Sequence, residues 1–198
     1  MGILLSEPET LPSAKLPSNF KKRIATLAPL RLVNGLSKVC PEVEKLRPIH
    51  PDVYDQVFIT DWVYRWASNN TIFFQIFQLY YQFALIRVMV DGYYSINSVW
   101  RTVLRVDDVE QQKRHIYVKD TLVLNCKTLQ SYEKVIPLIC GPYHKLILLG
   151  NITWNQVKQL VHPGVRQVRI DANLALHWKE YDDFAHFWFK QAHELDYR

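Results

Sequence analysis

Two pairs of adjacent carboxylates are the residues of this chain whose type and spacing could support acid–base chemistry. Asp107 and Asp108 form one pair, and Asp182 and Asp183 form the other. Two carboxylates that act on one bond must face each other across the substrate, whereas neighbouring residues on a helix point in different directions. We therefore interpret both pairs as turn or solvent-facing charges. The chain also lacks a glycine-rich phosphate loop, GxSxG and HExxH, so we do not expect an enzyme.

Histidine and cysteine spacing predicts neither a metal site nor a cofactor. His186 and His193 lie two helical turns apart, with no cysteine or third histidine at ligand spacing. The chain has three cysteines, Cys40, Cys126 and Cys140, and no two of them form a CxxC pair. This usage argues against a disulfide framework and against zinc, and it favours a reducing, intracellular compartment, cytoplasmic or nuclear.

Composition predicts either one compact body with a small appendage or two small domains. Hydrophobic residues make up 48% of the 198 residues, and aromatic residues 13%. The net charge is +5. The longest basic cluster, Lys21-Lys22-Arg23, is too short for a nucleic-acid footprint and fits a solvated helix face better. No apolar run is long enough to span a bilayer, so we expect neither a membrane nor nucleic acid as a partner.

Short helices are predicted after a flexible N-terminus, residues 1–15, which carries prolines among acidic residues. Two apolar stripes recur at helical spacing: Phe20, Ile24 and Leu27, then Leu32, Leu36 and Val39. Pro29 ends the first helix near Ala28, and Pro41 ends the second, because proline lacks a donor and clashes with the preceding turn. Helices this short enclose little core and leave apolar surface for a partner. The alternative is a small helical cap packed on the rest of the chain.

The stretch from residue 16 to residue 40 resembles an F-box, the short helical module that docks onto a Skp-type adaptor of a cullin ubiquitin ligase. The pattern of that family is Leu-Pro, an apolar residue opening a helical face, a proline in the middle, and an ending of Leu-Ser-x-Val-Cys. The matching residues are Leu16, Pro17, Ile24, Pro29, Leu36, Ser37, Val39 and Cys40. The departures are Ala28 in place of the usual Leu, Pro41 after the Cys, and Val43 where an aromatic residue often closes the motif.

The resemblance implies an F-box over residues 16–47 that binds the adaptor and, through it, a cullin. The adaptor-binding residues that it implies are Leu16, Pro17, Phe20, Ile24, Leu27, Leu32, Leu36 and Val39. It also accounts for Cys40 as a small, buried apolar residue. The prolines in residues 41–52 predict a linker between this module and the rest of the chain.

Residues 53–106 predict a region rich in strands. Residues 57–66 read as one extended strand. Residues 71–90 are rich in Phe, Tyr, Ile and Val and predict one long or two shorter strands, with a buried helix as the alternative for part of them. Ser95 then predicts the start of a helix. The apolar residues of that helix are Ile96, Val99, Trp100, Val103 and Leu104.

From about residue 115 onward, short strands and helices alternate. Strand patterns at Thr121–Leu124, Lys145–Leu148 and Gln167–Ile170 begin 24 and then 22 residues apart, and a helical pattern follows each. Thr153 and Gln156 predict a capping box for the second helix. This period suggests stacked β/α units related to leucine-rich repeats, with parallel strands and helices on one face. A generic small α/β layer is the alternative.

An N-terminal F-box followed by a divergent associated region resembles the large F-box families of nematodes. In those families, segments similar to Leu148–Trp154 and Glu180–Phe184 lie near the C-terminus. The resemblance implies a region, here residues 53–198, that recruits substrates. The predicted fold class is α+β, with a small N-terminal helical module, a β-rich region, and an α/β C-terminal part of irregular units like leucine-rich repeats.

The sequence therefore predicts a non-catalytic substrate-recognition subunit of a Skp/cullin/F-box ubiquitin ligase. It binds the adaptor through the F-box and a target protein through the C-terminal region, with the recognition surface expected on residues 115–198. One alternative is a protein-interaction domain without a ligase link. Another is a nucleic-acid-binding protein that stacks bases on its aromatic side chains. Whether Trp62, Trp66 and Tyr80 are exposed decides whether the region before residue 115 recruits a partner or only packs.

Overall fold

The structure, a computed structural model, describes residues 17–48, 50–69, 71–91, 96 and 100–196. The chain divides into two units, of which the first ends at Ile49 and the second begins at His50. The described residues combine helices with a parallel sheet, so the prediction of a mixed helix and strand fold is confirmed. Leu16, the first residue of the predicted adaptor-binding set, lies outside the described residues.

Short helices make up the described part of the first unit. They are α1 (Ser18–Leu27), α2 (Leu30–Val39) and α3 (Pro41–Leu46). Ala28 follows α1 and Pro29 precedes α2, so the first helix ends where the sequence predicts. Pro41 ends α2 but opens α3 rather than a linker. Proline is tolerated in the first turn of a helix, because its missing N–H would have no intrahelical partner there.

Six strands of the described second unit form one sheet in which every pair is parallel. They are β1 (Asp52–Thr60), β2 (Thr102–Arg105), β3 (Ile116–Cys126), β4 (Ile139–Cys140), β5 (Lys145–Thr153) and β6 (Gln167–Ala175). Their order across the sheet is β2-β1-β3-β5-β6, and β4 pairs with the start of β3. The helices of this unit are α4 (Tyr64–Ala67), α5 (Ile72–Gln82), α6 (Ala84–Asp91), α7 (Val106–Gln112), α8 (Leu129–Val135), α9 (Trp154–Leu160) and α10 (Tyr181–Asp196).

The three strands predicted from residue 121 onward lie side by side in register. Thr121 of β3 pairs with Lys145 of β5, and Lys145 pairs with Gln167 of β6. An advance of 24 and then 22 residues along the chain therefore leads each time to the neighbouring strand of the sheet. The capping box at the start of α9 is confirmed, since Thr153 Oγ1 accepts from the Gln156 N–H at 3.3 Å and Gln156 Oε1 accepts from the Thr153 N–H at 3.0 Å.

The prediction of a strand-rich region over residues 53–106 holds only for β1 and β2. β1 ends at Thr60 rather than at residue 66, and α5 and α6 replace the strands predicted over residues 71–90. The helical alternative is correct as to helix, but most of the described side chains of these helices are exposed rather than buried. Glutamines at positions 75, 78 and 82 recur every three or four residues, which is helical spacing. The helix predicted after Ser95 is wrong at Val103 and Leu104, because both lie in β2 and pair with β1. Ser95 itself lies outside the described residues.

The two faces of the sheet carry separate cores, because alternate side chains of a strand point to opposite faces. On the first face, the strands pack under α7, α8, α9 and α10, with Leu122 and Leu146 at the centre. On the second face, Phe58, Val123 and Ile147 pack with Ala67 of α4 and with the segment that contains Trp100. Central strands buried on both sides explain why the sequence of β3 and β5 reads as continuous apolar runs.

Gly150 lies where β5 comes closest to β3, and we expect Gly150→Ala to destabilise the second unit. Its φ is +90°, and an added Cβ would lie 2.1 Å from the Cys126 carbonyl oxygen. The left-handed backbone alone costs an L-residue about 1–2 kcal/mol, and the displaced backbone adds to that. Urea unfolding monitored by circular dichroism measures the loss. Gly35→Ala is the matched control, since nothing lies within 4 Å of that site in α2 and alanine favours a helix interior. Equal stability of both variants would contradict the prediction.

Candidate functional site

The first unit has a very small core. Its buried apolar residues are Ala25, Val33, Cys40 and Val43, with Ala28 packed against them. Cys40 is buried, as expected for that position. Lys21 departs from its prediction as part of a solvated face, because it is buried and its Nζ pairs with a carboxylate oxygen of Glu42. This ion pair links α1 to α3, whereas Lys22 and Arg23 are exposed as predicted.

Most of the described side chains that the sequence assigns to adaptor binding reach the surface. Phe20, Leu32 and Leu36 are 49%, 53% and 37% exposed, respectively. Pro17 is exposed, and Ile24 and Leu27 are half-buried. Val39 is the last residue of α2. Leu46 of α3 is a further exposed apolar side chain that sequence reasoning did not select. Among the described side chains of this unit, the large apolar ones are therefore mostly exposed or half-buried.

Leu32 and Leu36 give this surface a defined geometry. They stand four residues apart on α2, so they lie on the same face of the helix. Val33 lies on the adjoining face of the same helix, roughly 80° around the axis from the midpoint of the two leucines, and is buried at 1% exposure. The apolar surface of α2 therefore runs from the inside of the unit around to solvent.

The second unit exposes aromatic side chains around the end of β1. Trp62 follows β1, Trp66 lies in α4, and Tyr80 lies in α5, and all three are mostly exposed. Trp66 also contacts the Trp100 ring, with 6.0 Å between centroids. Their exposure answers the question that the sequence left open: the region before residue 115 carries apolar surface as well as core.

Helices α5 and α6 have an exceptionally apolar exterior. The exposed large apolar residues are Ile72, Ile76, Leu79, Tyr80, Phe83, Leu85, Val88 and Met89. Among the side chains described in these two helices, only Tyr81 is buried. A helix that is apolar on nearly every side is normally covered by other protein. The signal in the sequence was the apolar run of residues 71–90, which was interpreted as strand.

A chain of side-chain hydrogen bonds joins the carboxyl ends of four strands. Both carboxylate oxygens of Asp61, after β1, accept from the Lys127 N–H at 3.0 Å. Asn151 Nδ2 at the end of β5 donates to the Lys127 carbonyl at 2.6 Å, and Asn173 Nδ2 of β6 donates to Asn151 Oδ1 at 3.1 Å. These bonds hold the edge rigid, and the Trp62 indole N–H is fixed on it by Asn125 Oδ1 of β3 at 3.2 Å. Asparagine at successive strand ends was the sequence signal for this feature.

A cleft of about 660 Å³, lined by both polar and apolar side chains, lies on the helical side of this edge. It is lined by Glu133 of α8, by Gln159 of α9, and by His177 and Glu180 after β6. Glu180 accepts a hydrogen bond from the His177 backbone N–H at 3.0 Å, so part of its polar lining is already engaged. The exposed Trp178 follows His177 in sequence. This cleft is a surface feature of the region from residue 115 onward, where the sequence predicts recognition of a target.

The carboxylate pairs do not assemble into a shared site. Asp107 faces Arg105 at 4.0 Å. Asp183 Oδ2 accepts from Lys158 Nζ at 2.7 Å and from the Trp154 indole N–H at 2.8 Å. The hydrogen bonds from Lys158 and Trp154 lower the pKa of Asp183. Each pair therefore has one member held by a neighbouring structural partner, and Asp183 serves to attach α10 to α9.

Burial disfavours ionisation of the Cys126 and Cys140 thiols in the second unit. Burial raises the pKa of the Cys140 thiol to about 12. Burial, with the charge of Asp61 nearby, also raises the pKa of Cys126. A protonated thiol is a poor nucleophile and a poor metal ligand. Within the described ranges, no group of three or more His, Cys, Asp or Glu is placed to hold a metal ion. His186 is exposed on α10.

No helix among the described residues is both long enough and apolar enough to cross a bilayer. Comparison with known proteins gives no relative for this chain: no family model, no curated protein and no solved structure matches it.

Proposed function

We propose that this chain is a substrate-recognition subunit of a Skp/cullin/F-box ubiquitin ligase. The observation that carries the proposal is the apolar exterior of the first unit. Phe20, Leu32 and Leu36 are exposed on helices whose apolar core, among the described side chains, consists of Ala25, Val33, Cys40 and Val43. Burying a side chain of that size contributes about 1.5–3 kcal/mol. A partner that covers several of them gains a substantial part of a stable interface.

The chemistry of that surface favours a protein partner with an apolar groove. Exposed Leu and Phe side chains on successive short helices form an apolar surface that a complementary groove can cover. These side chains carry no charge that would bind a small anionic ligand. The resemblance of residues 16–40 to an F-box identifies a Skp-type adaptor as such a partner. Lys21 and Glu42 hold α1 against α3, so the surface is preorganised and loses little conformational entropy on binding.

The target-binding surface is proposed on the second unit. Large exposed apolar side chains of this unit concentrate on α5, α6 and the segment from Trp62 to Trp66. Residues 115–198 add the cleft beside α9 and the exposed Trp178. Contiguous apolar patches on a protein surface mark interaction sites. The proposal therefore extends the expected recognition region from residues 115–198 to the surface that begins at Trp62.

In this proposal the chain performs no bond chemistry. Asp107 and Asp183 are engaged in ion pairs, and burial raises the pKa of the Cys126 and Cys140 thiols. Ubiquitin transfer is accelerated because the target is held near the charged ubiquitin-carrying enzyme, which converts a bimolecular encounter into a local one. In this proposal the first unit binds the adaptor and the second unit binds the target.

The β/α units of β3, β5 and β6 are proposed to be related to leucine-rich repeats. Their support is the in-register step of 24 and 22 residues and the helices that follow each strand. Repeats of this kind stack neighbours to bury a continuous core and present the remaining surface to partners. β1 and β2 extend the same sheet on its other side, which a uniform solenoid does not predict.

A direct reconstitution tests the proposed function. The purified full chain is mixed with a purified Skp-type adaptor and then with a cullin, and the mixture is separated by size-exclusion chromatography with light scattering. We expect the chain, the adaptor and the cullin to elute together in equal stoichiometry. Separate elution of chain and adaptor at concentrations of tens of micromolar, where a weak complex with a dissociation constant near 1 µM still forms, would overturn the ligase link. The remaining function would then be that of an interaction domain without an adaptor.

A further inference from the structure

β6 is the last strand at one end of the described sheet. It pairs with β5 over nine consecutive residues, Gln167–Ala175, without a register shift. No strand of the described chain pairs with its other side. The strand contains neither proline nor glycine. Such an edge presents a row of backbone N–H and C=O groups that fit another extended chain.

The side chains of β6 indicate what kind of strand completes this edge. Val168, Ile170 and Leu174 point to the face covered by α10, and they remain only partly buried at the margin of the main core. On the opposite face, Arg169 Nε donates to Asp171 Oδ2 at 2.6 Å, and both residues are partly exposed. A strand with the same alternation of apolar and charged residues would extend both faces.

The β6 strand of a second copy has this alternation, and it can pair with the first β6 in the antiparallel direction. If two copies pair about Ile170, Arg169 of each copy stands directly opposite Asp171 of the second copy. The two resulting pairs of opposite charge lie on the polar face, and Val168 stands opposite Ala172 on the apolar face. Opposite charges and apolar residues directly across two strands stabilise the pairing. The same patch serves on both copies, as a twofold interface demands.

We propose that two copies of this chain associate through antiparallel pairing of their β6 strands, with Arg169 and Asp171 specifying the register. The edge is shorter than a standard interface of about 1,600 Å², so we expect a reversible dimer with a dissociation constant on the order of 10 µM. The proposal is independent of adaptor binding, because it uses residues of the second unit only.

Charge reversal tests the register. Sedimentation equilibrium of the full chain from about 1 to 200 µM, a range that brackets such a dissociation constant, is expected to show the dimer. Arg169→Asp places two pairs of like charge across the interface, and so does Asp171→Arg. Each single change should weaken dimerisation at least about tenfold, a cost typical of opposed like charges. The double variant restores opposite charges and should recover the wild-type dissociation constant to within about threefold, since exposed ion pairs differ little in strength.

Asp107→Arg is the matched control for Asp171→Arg, because it makes the same change of charge after β2, at the other end of the sheet. It should dimerise as the wild type does. Circular dichroism of each variant checks that the fold is retained, and reversal of partly exposed charges changes stability little. A chain that is monomeric at every concentration overturns the proposal. Single variants that dimerise normally also overturn it, as does a double variant that stays monomeric.

Discussion

Trp154→Ala is expected to destabilise the second unit by about 3–5 kcal/mol, the usual cost of removing a fully buried aromatic side chain. Trp154 is 0% exposed at the first turn of α9. Its indole ring contacts Phe184 and Phe187 of α10 edge-on, with 5.1 Å between centroids in both pairs. The same change removes the N–H donor to Asp183. Truncation therefore leaves a cavity between the sheet and α10 and releases the attachment of that helix.

Thermal unfolding followed by circular dichroism measures this effect, and a loss of 3–5 kcal/mol corresponds to a fall in the melting temperature of about 10 °C for a unit of this size. Trp178→Ala is the control, because that tryptophan is 67% exposed and should change stability by no more than about 0.5 kcal/mol. Trp154→Phe gives an intermediate case, since it keeps a six-membered aromatic ring against α10 and removes the N–H together with the smaller ring of the indole. Similar melting temperatures for Trp154→Ala and Trp178→Ala would show that α10 does not depend on this contact.

Local signals predicted the half of the sheet in which each strand is followed at once by its own helix. Between β3 and β6, the period of the apolar runs and the capping box at Thr153 specify strand, turn and helix with few alternatives. The register of Lys145 with Thr121 and with Gln167 matches the spacing of the strand patterns, 24 and then 22 residues. These features depend on residues close together in sequence, and such signals are the ones a sequence displays most directly.

The region between β1 and β3 was predicted poorly because tertiary contacts decide its structure. Phe, Tyr, Ile and Val favour strands on average, but this preference is weak and depends on neighbours. Residues 71–90 have no partner strand in the sheet and form α5 and α6. β2 shows the converse, because Val103 and Leu104 become a strand by pairing with β1. Neither outcome is written in the local pattern alone.

Candidate surface residues were only partly predictable, because exposure depends on how helices pack. The spacing of Leu32 and Leu36 predicts that they share one stripe of a helix. In the structure both are exposed, and the buried residue of that turn is Val33. Lys21 was assigned to a solvated face and is instead buried against Glu42. Helical periodicity identifies faces and does not say which of two apolar faces is covered within the chain.

The boundary between the units changes how the two proposed binding activities can be separated. The sheet joins β1 to β3 over most of its length, so residues 115–198 are not a body independent of residues 52–60. Deleting residues 115–198 would remove the partner of β1 and expose the core. Point substitutions on the surface of each unit are therefore the informative changes, and the unit boundary lies between Ile49 and His50.

The double substitution Leu32→Ala with Leu36→Ala is expected to reduce affinity for a Skp-type adaptor at least about twentyfold. Both side chains are exposed on one face of α2, outside the small core of the first unit. Removing apolar anchors from a desolvated contact typically costs on the order of 2 kcal/mol or more, which corresponds to that loss of affinity. Leu16→Ala with Pro17→Ala should have a comparable effect, because the F-box resemblance assigns those residues to the start of the same surface.

Isothermal titration calorimetry with the purified adaptor measures both losses, and thermal unfolding of the same samples separates binding from folding. Lys38→Ala is the control on α2, since its side chain is exposed and outside the apolar stripe; it should leave affinity within about twofold of the wild type, as near-neutral contacts at an interface do. Val33→Ala shows how the loss of a core side chain lowers the melting temperature, because this residue is buried within the first unit. If the leucine variant binds the adaptor as the wild type does, or melts like Val33→Ala, then these leucines are internal packing and the chain is not an adaptor-bound receptor. Loss of adaptor binding with unchanged melting is the result that an F-box requires, because it shows that the truncated side chains stabilise the complex and not the fold.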